Sequence, residues 1–585
     1  MEGYRFLYNL RICCAIVEII AANSNAMDIS SLLTDRRLDN NFLRQLGSTP
    51  INQCASLPPG KLSNYANRPN ILIFMADDLG HADIGYSEGS HQTPTPNIDK
   101  FAYDGIILNR HYSHPLCTPT RSAFMTGKYA FQVGMQTGAI SEGEPWGLPV
   151  AFKIQPQYFK DLGYSTYTVG KWHLGSHTRN HYPSSRGFDY SFGITSGDCN
   201  WYDFTAGWMK PVPVSGRALR ENGKIFPLNQ STTPFPELIA SRAENLIAAS
   251  PPNKPWYMFF ATPLTHTGFD NFDAVQHPVK EYHLHINESA ILKFEERVKQ
   301  LGSIHALDRT FARLVKALKR KGVLNNTIII FVADNGAPLP ESADFIHGTN
   351  HGSNWPLRQG KGTLFEGGIR TLSFIWAPML QRRGFVYDDL FHISDWLPTL
   401  YEGAGGNTAD LTGISAVSHW KRFHDYYAIG PVRDEVVNNI DGVTNQYSIT
   451  IMEDNGKLYK LLGGNVFNNS YLGWRRTEGT STSDEMKSWT PLSVNCNAPE
   501  GVERAPCQPW LTDCLFDITS EPCETNNIAS VYPSTLRKLQ LRLRALNDTA
   551  YPPQILPYDP ASNPDLYDGF WVPWKDIHHV LDPTI

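Results

Sequence analysis

Four uninterrupted apolar runs divide the first two thirds of the chain, and ionisable side chains follow each of them closely. Continuous apolar runs of this length are typical of strands buried on both faces of a sheet. The predicted strands are Asn70–Ala76, Tyr164–Val169, Trp256–Ala261 and Thr327–Ala333. Apolar residues at helical spacing predict a helix over Ser303–Lys321, which ends in a basic turn before Gly322. Strands that alternate with helices predict an α/β fold with a large, mostly parallel sheet flanked by helices.

Beyond residue 425 the pattern changes to short strands followed by one helix. The predicted elements are strands at Gln446–Met452, Lys457–Leu462 and Cys514–Ile518 and a helix at Ser534–Leu546. This order predicts a smaller C-terminal α+β domain. We therefore divide the chain into a leader or surface wrap at 27–67, an α/β domain at 68–425, and a C-terminal α+β domain with its tail at 426–585.

Composition narrows the class of protein. The chain has 585 residues, of which 41% are hydrophobic, and a net charge of −6, so a largely disordered chain is excluded. A mildly acidic surface argues against a nucleic-acid-binding protein. No apolar run reaches the roughly 18 residues that a transmembrane helix needs.

The N-terminus resembles a secretory signal peptide over residues 1–26. Arg5 and Arg11 lead into an apolar stretch that ends at the small residues Ser24 and Ala26, although Glu18 interrupts the stretch. Candidate N-glycosylation sites lie at Asn229, Asn287, Asn325, Asn468 and Asn547, a number that chance alone explains.

Polar clusters at four predicted strand ends indicate one shared pocket, because ligands of open α/β sheets bind beyond the carboxyl ends of the strands. The clusters are Asp77-Asp78, Lys171-Trp172-His173, His266 and Asp334-Asn335. Each cluster alone is weak evidence. A turn or helix cap explains Asp77-Asp78 as well as a site does, and a turn explains Asp334-Asn335 better. A single histidine after a strand is more often structural, and the Lys-Trp-His triplet is compatible with an exposed loop. Because all four clusters follow the carboxyl ends of predicted strands, together they favour a functional site.

The chemistry of this pocket combines a hard cation with an anion. Asp77, Asp78, Asp334 and Asn335 offer only oxygen ligands, which suit Ca²⁺ or Mg²⁺. Beside such a cation, further positive side chains require an anionic substrate group between them. Those side chains are Arg121, Lys171, His173, His266 and Lys361.

A further segment places a cysteine at a helix start. Thr118 is the predicted N-cap and Pro119 the first helical residue, so Cys117 lies at the positive end of the helix with Arg121 in the first turn. That position suits an anion or a nucleophile.

Two motifs carry a family resemblance. Cys117-Thr-Pro-Thr-Arg121 matches the signature Cys-x-Pro-x-Arg, and the run 163–175 matches a second signature. Over about residues 68–548 the chain resembles the type I sulfatases of the alkaline phosphatase superfamily, and among them arylsulfatase B. Thr120 and Lys128 depart from the commoner residues without touching a catalytic role, and the flanking cysteines of arylsulfatase B do not occur.

The resemblance implies a role for each site residue. Cys117 becomes formylglycine through a formylglycine-generating enzyme, and one hydroxyl of the hydrated aldehyde attacks sulfur. Arg121 and Lys171 stabilise the hydrate, while Lys171 and Lys361 bind sulfate oxygens. His266 protonates the departing alcohol and His173 deprotonates the second hydroxyl. One Ca²⁺ is held by Asp77, Asp78, Asp334, Asn335 and the modified Cys117.

The remaining cysteines predict disulfides and an oxidising compartment. Four lie close together without Cys-x-x-Cys spacing, which favours the pairs Cys496–Cys507 and Cys514–Cys523 over a zinc site. Cys54–Cys199 is a weaker suggestion. A secretory-pathway protein, lysosomal or extracellular, follows from these pairs.

The predicted function is calcium-dependent hydrolysis of sulfate esters. The substrate is expected to be a sulfated carbohydrate or an aryl sulfate, with 4-sulfated N-acetylgalactosamine as one candidate. Candidate sugar-reading aromatics lie in the loops 177–235 and 336–356, namely Trp201, Tyr202, Trp208, His347, His351 and Trp355. The alternatives are a phosphohydrolase of the same superfamily and a catalytically inactive secreted binding protein.

Overall fold

The computed structural model describes residues 68–87, 92–208, 213–228, 230–268, 276, 293–340, 348–466, 473–478, 492, 494, 496 and 504–577. The predicted signal peptide at 1–26, the leader at 27–67, Cys54, and the sequons at Asn229, Asn287 and Asn468 lie outside these residues. Asn325 and Asn547 are exposed, and their glycosylation stays a prediction.

Eighteen strands are present in the part of the chain that is described. They are β1 Asn70–Ala76, β2 Ile106–Leu108, β3 His111–Tyr112, β4 Ser165–Lys171, β5 Tyr190–Ile194, β6 Thr205–Trp208, β7 Val214–Arg217, β8 Leu219–Glu221, β9 Lys224–Ile225, β10 Trp256–Ala261, β11 Thr327–Ala333, β12 Ser373–Trp376, β13 Phe385–Tyr387, β14 Phe391–His392, β15 Glu435–Asp441, β16 Gln446–Met452, β17 Leu458–Gly464 and β18 Cys514–Asp517.

A ten-stranded mixed sheet forms the larger part of the molecule, in the order β13-β2-β12-β11-β1-β10-β4-β5-β8-β9. Its centre, from β11 to β5, is parallel, whereas antiparallel pairs flank it on both sides. The predicted α/β fold with a large, mostly parallel sheet is therefore confirmed. The two strands that pair with β1 come from much later in the chain, because β10 begins at Trp256 and β11 at Thr327.

Nine α-helices accompany the strands within the described residues. They are α1 Pro96–Asp104, α2 Cys117–Thr126, α3 Gln155–Asp161, α4 Phe235–Ala249, α5 Glu295–Lys321, α6 Glu366–Ile369, α7 Trp396–Gly403, α8 Trp420–His424 and α9 Pro533–Asn547. None of these helices is long and apolar enough to cross a bilayer.

Helices cover both faces of the large sheet, as the continuous apolar strands predict. In β1, Leu72 and Phe74 point to a core shared with Phe311 of α5. Ile71 and Ile73 point to the opposite core, which includes residues of α2, α3 and α7. Both faces of the central strand are therefore buried away from water, and the packed sheet holds the ends of its strands in place.

A four-stranded antiparallel sheet, β15-β16-β17-β18, forms the C-terminal part, with Leu539 and Leu543 of α9 packed against it. Between this sheet and α6, the ammonium of Lys460 lies 2.9 Å from a carboxylate oxygen of Glu366 and 2.8 Å from one of Glu524. All three side chains are fully buried. The proposed boundary at residue 425 falls between α8 and β15 and stays a prediction.

The predicted disulfide pairing was wrong. The bonds are Cys496–Cys523 and Cys507–Cys514, while Cys199 is a free, buried thiol. The pairing is nested rather than sequential, because Cys514 begins β18 and that strand draws the chain back beside Cys507. The spacing of cysteines along the sequence does not show where the chain folds back, so it cannot predict which cysteines pair.

Candidate active site

Four adjacent parallel strands, β11, β1, β10 and β4, end at one edge of the large sheet, and the predicted polar clusters meet there. Each strand contributes its own side chains. They are Asp77 and Asp78 after β1, Lys171 and His173 at the end of β4, His266 after β10, and Asp334 and Asn335 after β11. Sheet topology thus assembles residues that are more than 250 positions apart.

Helix α2 brings Cys117 to the same edge. The Cys117 Sγ atom lies 3.5 Å from Asp77 Oδ1 and 4.0 Å from Asp78 Oδ1. Burial raises the pKa of the Cys117 thiol, so the unmodified side chain is a thiol and not a nucleophilic thiolate.

The predicted cap of this helix was wrong. The helix begins at Cys117 itself, and Leu116 occupies the extended N-cap position. The Thr118 hydroxyl instead donates to the His173 carbonyl at 3.1 Å and accepts from the Ile140 amide at 3.1 Å. Thr118 therefore links α2 to the loop after β4. Its hydroxyl bonds to groups that are distant in sequence and does not cap its own helix.

Three buried carboxylates at this edge each have a different cation as their nearest charged partner, and Asp77 also lies 3.8 Å from Arg121. The pairs are Lys171 with Asp77 at 2.6 Å, Lys361 with Asp78 at 2.6 Å, and Arg121 with Asp334 at 2.8 Å. All six side chains are at least nine-tenths buried. Charges removed from water this completely are stable only when they are paired, and these three pairs carry no net charge.

The pKa values of the site follow from burial and from these pairs. Burial favours the neutral acid at Asp77, but Lys171 and other cations outweigh it, and the pKa of Asp77 is lowered. At Asp334, burial and the neighbouring Asp77 raise the pKa to about 6. At Lys361, burial opposes the charge, yet Asp78 outweighs it and raises the pKa of the ammonium.

The two histidines differ in the ring nitrogen that is free. His173 Nε2 lies 2.7 Å from the Ile140 carbonyl and donates to it, which leaves a buried Nδ1 without a partner. His266 Nδ1 lies 2.8 Å from the Thr267 carbonyl, which leaves Nε2 facing Lys361 Nζ at 3.4 Å and Asp78 Oδ2 at 3.5 Å. Burial lowers the pKa of both rings.

The donor set fits a hard divalent cation. Ligand atoms of Asp77, Asp78, Cys117 and His266 lie within 4.8 Å of one another. Asn335 Nδ2 donates to Asp78 Oδ1 at 2.6 Å, and its Oδ1 is buried without a hydrogen-bond partner. A half-turn of this amide would present another oxygen to a cation, and such a set of oxygens suits Ca²⁺. Asp334 lies beside this group in its pair with Arg121.

Sequence reasoning missed three polar residues around the pocket. Asn350 donates to the backbone of Asp78, and the Glu142 carboxylate accepts from the Gly197 amide at 3.1 Å beside His173. Burial and the neighbouring Asp198 raise the pKa of Glu142. None of the three follows a predicted strand, so no periodicity marks them.

Comparison with known proteins identifies the family. The Sulfatase family profile matches residues 69–406, more than half of the chain. The chain therefore belongs to the sulfatase family, that is, to the type I sulfatases of the alkaline phosphatase superfamily, as its two motifs predict.

Two relatives and two solved structures illustrate the likeness. Arylsulfatase J of Mus musculus is 32% identical over 521 residues, which cover 87% of this chain and 80% of that protein. N-acetylgalactosamine-6-sulfatase of Homo sapiens is 30% identical over 348 residues, covering 58% of this chain and 62% of that protein.

Among solved structures, Ps i-CgsB superposes with a TM-score of 0.62 at 22% identity, covering 84% of this chain and 95% of its own. The PsFucS1 sulfatase from Pseudoalteromonas sp. gives a TM-score of 0.54 at 20% identity, covering 83% and 90%. At these identities the structures support the fold alone. The finer likeness to arylsulfatase B stays a prediction.

Proposed function

We propose that this protein is a calcium-dependent sulfatase that hydrolyses sulfate esters of sugars at a formylglycine derived from Cys117. One observation carries the proposal: three carboxylates and three cations are matched one to one around the buried Cys117. A divalent cation on Asp77 and Asp78 would leave the ammonium groups of Lys171 and Lys361 with unmatched positive charge. An anionic sulfate group restores the balance.

Asp77, Asp78, Asp334, Asn335 and residue 117 would hold the cation. The cation would supply Lewis-acid polarisation of a sulfate oxygen. Formylglycine would supply, as its hydrate, two hydroxyls on one carbon, so that sulfate can leave without a second attack at sulfur. The raised pKa of the Cys117 thiol supports this modification over a free cysteine nucleophile.

The remaining residues bind charge or move protons. Lys171 and Lys361 bind sulfate oxygens, and Arg121 and Lys171 stabilise the hydrate of residue 117. Protonated Nε2 of His266 donates to the oxygen of the departing alcohol. Nδ1 of His173 accepts a proton from residue 117, because burial and Lys171 hold the ring neutral.

The substrate that we propose is a sulfated sugar, with N-acetylgalactosamine 4-sulfate as the first candidate. The relatives named N-acetylgalactosamine-6-sulfatase and arylsulfatase J support this class of substrate, whereas the choice of the 4-position rests on the likeness to arylsulfatase B. Of the candidate aromatics, Tyr202 is exposed and His351 and Trp355 are half-buried, whereas Trp201 is buried in the core and cannot read a sugar. His347 and the side chain of Trp208 lie outside the described residues.

We also infer passage through the secretory pathway to the lysosome or the exterior, with a formylglycine-generating enzyme as partner. The two disulfides support an oxidising compartment.

The decisive experiment measures inorganic sulfate and inorganic phosphate released from matched esters by protein made in cells that contain the generating enzyme. The matched esters are N-acetylgalactosamine 4-sulfate, an unrelated sulfated glycoside, 4-nitrophenyl sulfate and 4-nitrophenyl phosphate. We expect sulfate release that requires Ca²⁺, an aldehyde mass at residue 117, and no turnover by Cys117→Ala.

Three results would refute parts of this proposal. Faster phosphate than sulfate release would favour a phosphohydrolase, and no release of either would favour a binding protein. Equal kcat/KM for both sulfated sugars and the aryl ester would exclude sugar recognition by the loops.

A further inference from the structure

We propose that Asn350 is a positioning residue that couples the cation-binding carboxylate of Asp78 to the proton donor His266. The inference rests on the proposed function for the roles of these two groups. It assigns a task to a loop residue that lies on no strand, no helix and no sequence motif used above.

The contacts of Asn350 join two strand ends. Its side chain is fully buried, and its Nδ2 donates to the Asp78 carbonyl at 2.8 Å and to the Thr265 carbonyl at 2.5 Å. Its Oδ1 accepts from the Gly352 amide at 2.9 Å. One planar amide therefore fixes the peptide after β1, the peptide before His266 and the loop that carries Asn350 itself.

Both carbonyls belong to residues in a strained conformation. Asp78 has φ of 57° and Thr265 has φ of 77°, in the left-handed region that non-glycine residues avoid. β-branched Thr265 is especially unfavourable there. Such conformations cost on the order of 1–3 kcal/mol each and persist only where surrounding contacts fix them. Asn350 supplies one such contact to each of the two residues.

These backbone positions set the reacting geometry. Asp78 Oδ1 lies 4.0 Å from Cys117 Sγ, and Asp78 Oδ2 lies 3.5 Å from His266 Nε2. A rotation of either peptide would separate the carboxylate from the imidazole without removing any reacting group. Loss of the Asn350 amide should therefore weaken cation binding and proton donation together.

The test replaces Asn350 by a side chain of similar volume that cannot donate. For Asn350→Leu we expect a Ca²⁺ dissociation constant, measured by calorimetry with Ca²⁺ alone, that is about 10–100-fold weaker, as for other residues that orient metal ligands. We also expect kcat to fall more for a sugar sulfate than for 4-nitrophenyl sulfate. Asn350→Ser, which retains one donor, should give intermediate values.

A matched control separates positioning from packing. Asn438 is also fully buried, and its Nδ2 donates to Ser448 Oγ at 2.9 Å and Thr450 Oγ1 at 3.3 Å in the C-terminal sheet. Asn438→Leu should lower Tm while the Ca²⁺ affinity and the ratio of the two kcat values stay at wild-type levels.

The proposal is overturned if Asn350→Leu lowers Tm alone, as its control does. If Asn350→Leu does not fold, Asn350→Ser decides by the same two measurements, and wild-type values for it overturn the proposal. Failure of the wild type to bind Ca²⁺ or to release sulfate overturns the proposed function, and this inference with it. If the wild type binds Ca²⁺ and releases sulfate, and the Asn350 variant does so equally well, this inference alone is overturned.

Discussion

At the scale of single residues, the site consists of buried charged side chains that form ion pairs with one another instead of contacting water. Lys361 shows this most directly, because its ammonium contacts Asp78 and lies 3.4 Å from His266 Nε2. In the proposed reaction, an ammonium in that position would move from the carboxylate of Asp78 to a sulfate oxygen without entering solvent. Preorganised charge of this kind is usually the largest contribution to catalysis.

Lys361→Ala should lower kcat by on the order of 10²–10³, as removal of a preorganised oxyanion stabiliser does. Sulfate release under saturating substrate measures the effect. Lys299→Ala is the control, because this lysine pairs with Glu295 and Glu296 on the solvent side of α5. A kcat within twofold of wild type for Lys361→Ala would exclude a direct role on sulfate.

His266→Ala should impair sugar sulfates, whose alcohols leave poorly, far more than activated aryl sulfates. Burial lowers the pKa of His266, so the protonated donor is lost as pH rises through a range below that of a free histidine. We therefore expect kcat for sugar sulfates to be highest at acidic pH in the wild type. Equal losses for both substrate classes would contradict the role of this residue as the acid.

At the scale of elements, the packing of a helix can bury a carboxyl group and change its pKa. In α1, Asp99 Oδ1 accepts from the Tyr86 amide at 3.0 Å and from Thr95 Oγ1 at 2.9 Å. Burial, together with the neighbouring Asp308, raises the pKa of Asp99 to about 7. The folded state therefore holds a proton that the unfolded state releases near pH ~4.

Because the pKa of Asp99 is higher in the folded state, its contribution to stability is complete below pH ~4 and is lost between there and about pH 7. Asp99→Asn removes this loss and keeps the accepting Oδ1. It should raise the free energy of unfolding by about 1–3 kcal/mol at pH 8 and by less at pH 5. Thermal unfolding at both pH values measures this. The same gain at both would mean that Asp99 is charged in the folded protein.

The elements whose bounds the sequence predicts well are those made of a continuous run of apolar residues. Strands β1, β10 and β11 have the predicted bounds because every residue in their interior is buried. Helix α5 begins at Glu295 rather than Ser303, since its first turns bury Arg297 and Gln300, which a hydrophobic pattern reads as surface. Arg297 is buried because it pairs with Asp83 at 2.7 Å, a partner from another part of the chain.

The same distinction holds in the site. Side chains that follow strands could be placed from sequence, because topology alone decides where strand ends meet. Asn350 and Glu142 could not, since loops position them through hydrogen bonds that no local pattern encodes. The disulfide pairing failed for a similar reason, because it depends on the return of the chain at β18.

At the scale of the whole molecule, the C-terminal four-stranded sheet is joined to α6 and β3 by buried charge as well as by apolar contact. Lys460 of β17 lies between Glu366 of α6 and Glu524, and Tyr112 donates its hydroxyl to Glu366 at 2.9 Å. Burial raises the pKa of Glu524 to about 7. Removing one member of such a group leaves uncompensated charge inside the protein.

Lys460→Ala should therefore lower the free energy of unfolding by about 3–5 kcal/mol. Lys457→Ala is the control just before the same strand, because its pair with Asp517 is partly exposed and should contribute at most about 1 kcal/mol. Denaturant titration of both variants gives the comparison. Similar losses for the two would indicate that Lys460 is hydrated in the folded state.

The order of strands in the large sheet has a consequence for the time at which the pocket closes. Central strand β1 pairs with β10 and β11, so it has no partner until Ala261 has been synthesised and lacks its second partner until Ala333 has been added. The ribosome adds about 5–20 residues per second. The segment that carries Cys117 therefore remains an open chain for roughly 7–30 seconds after it is made. If Cys117 is modified as we propose, translation speed rather than the folded structure sets how long the modifying enzyme has to reach the thiol.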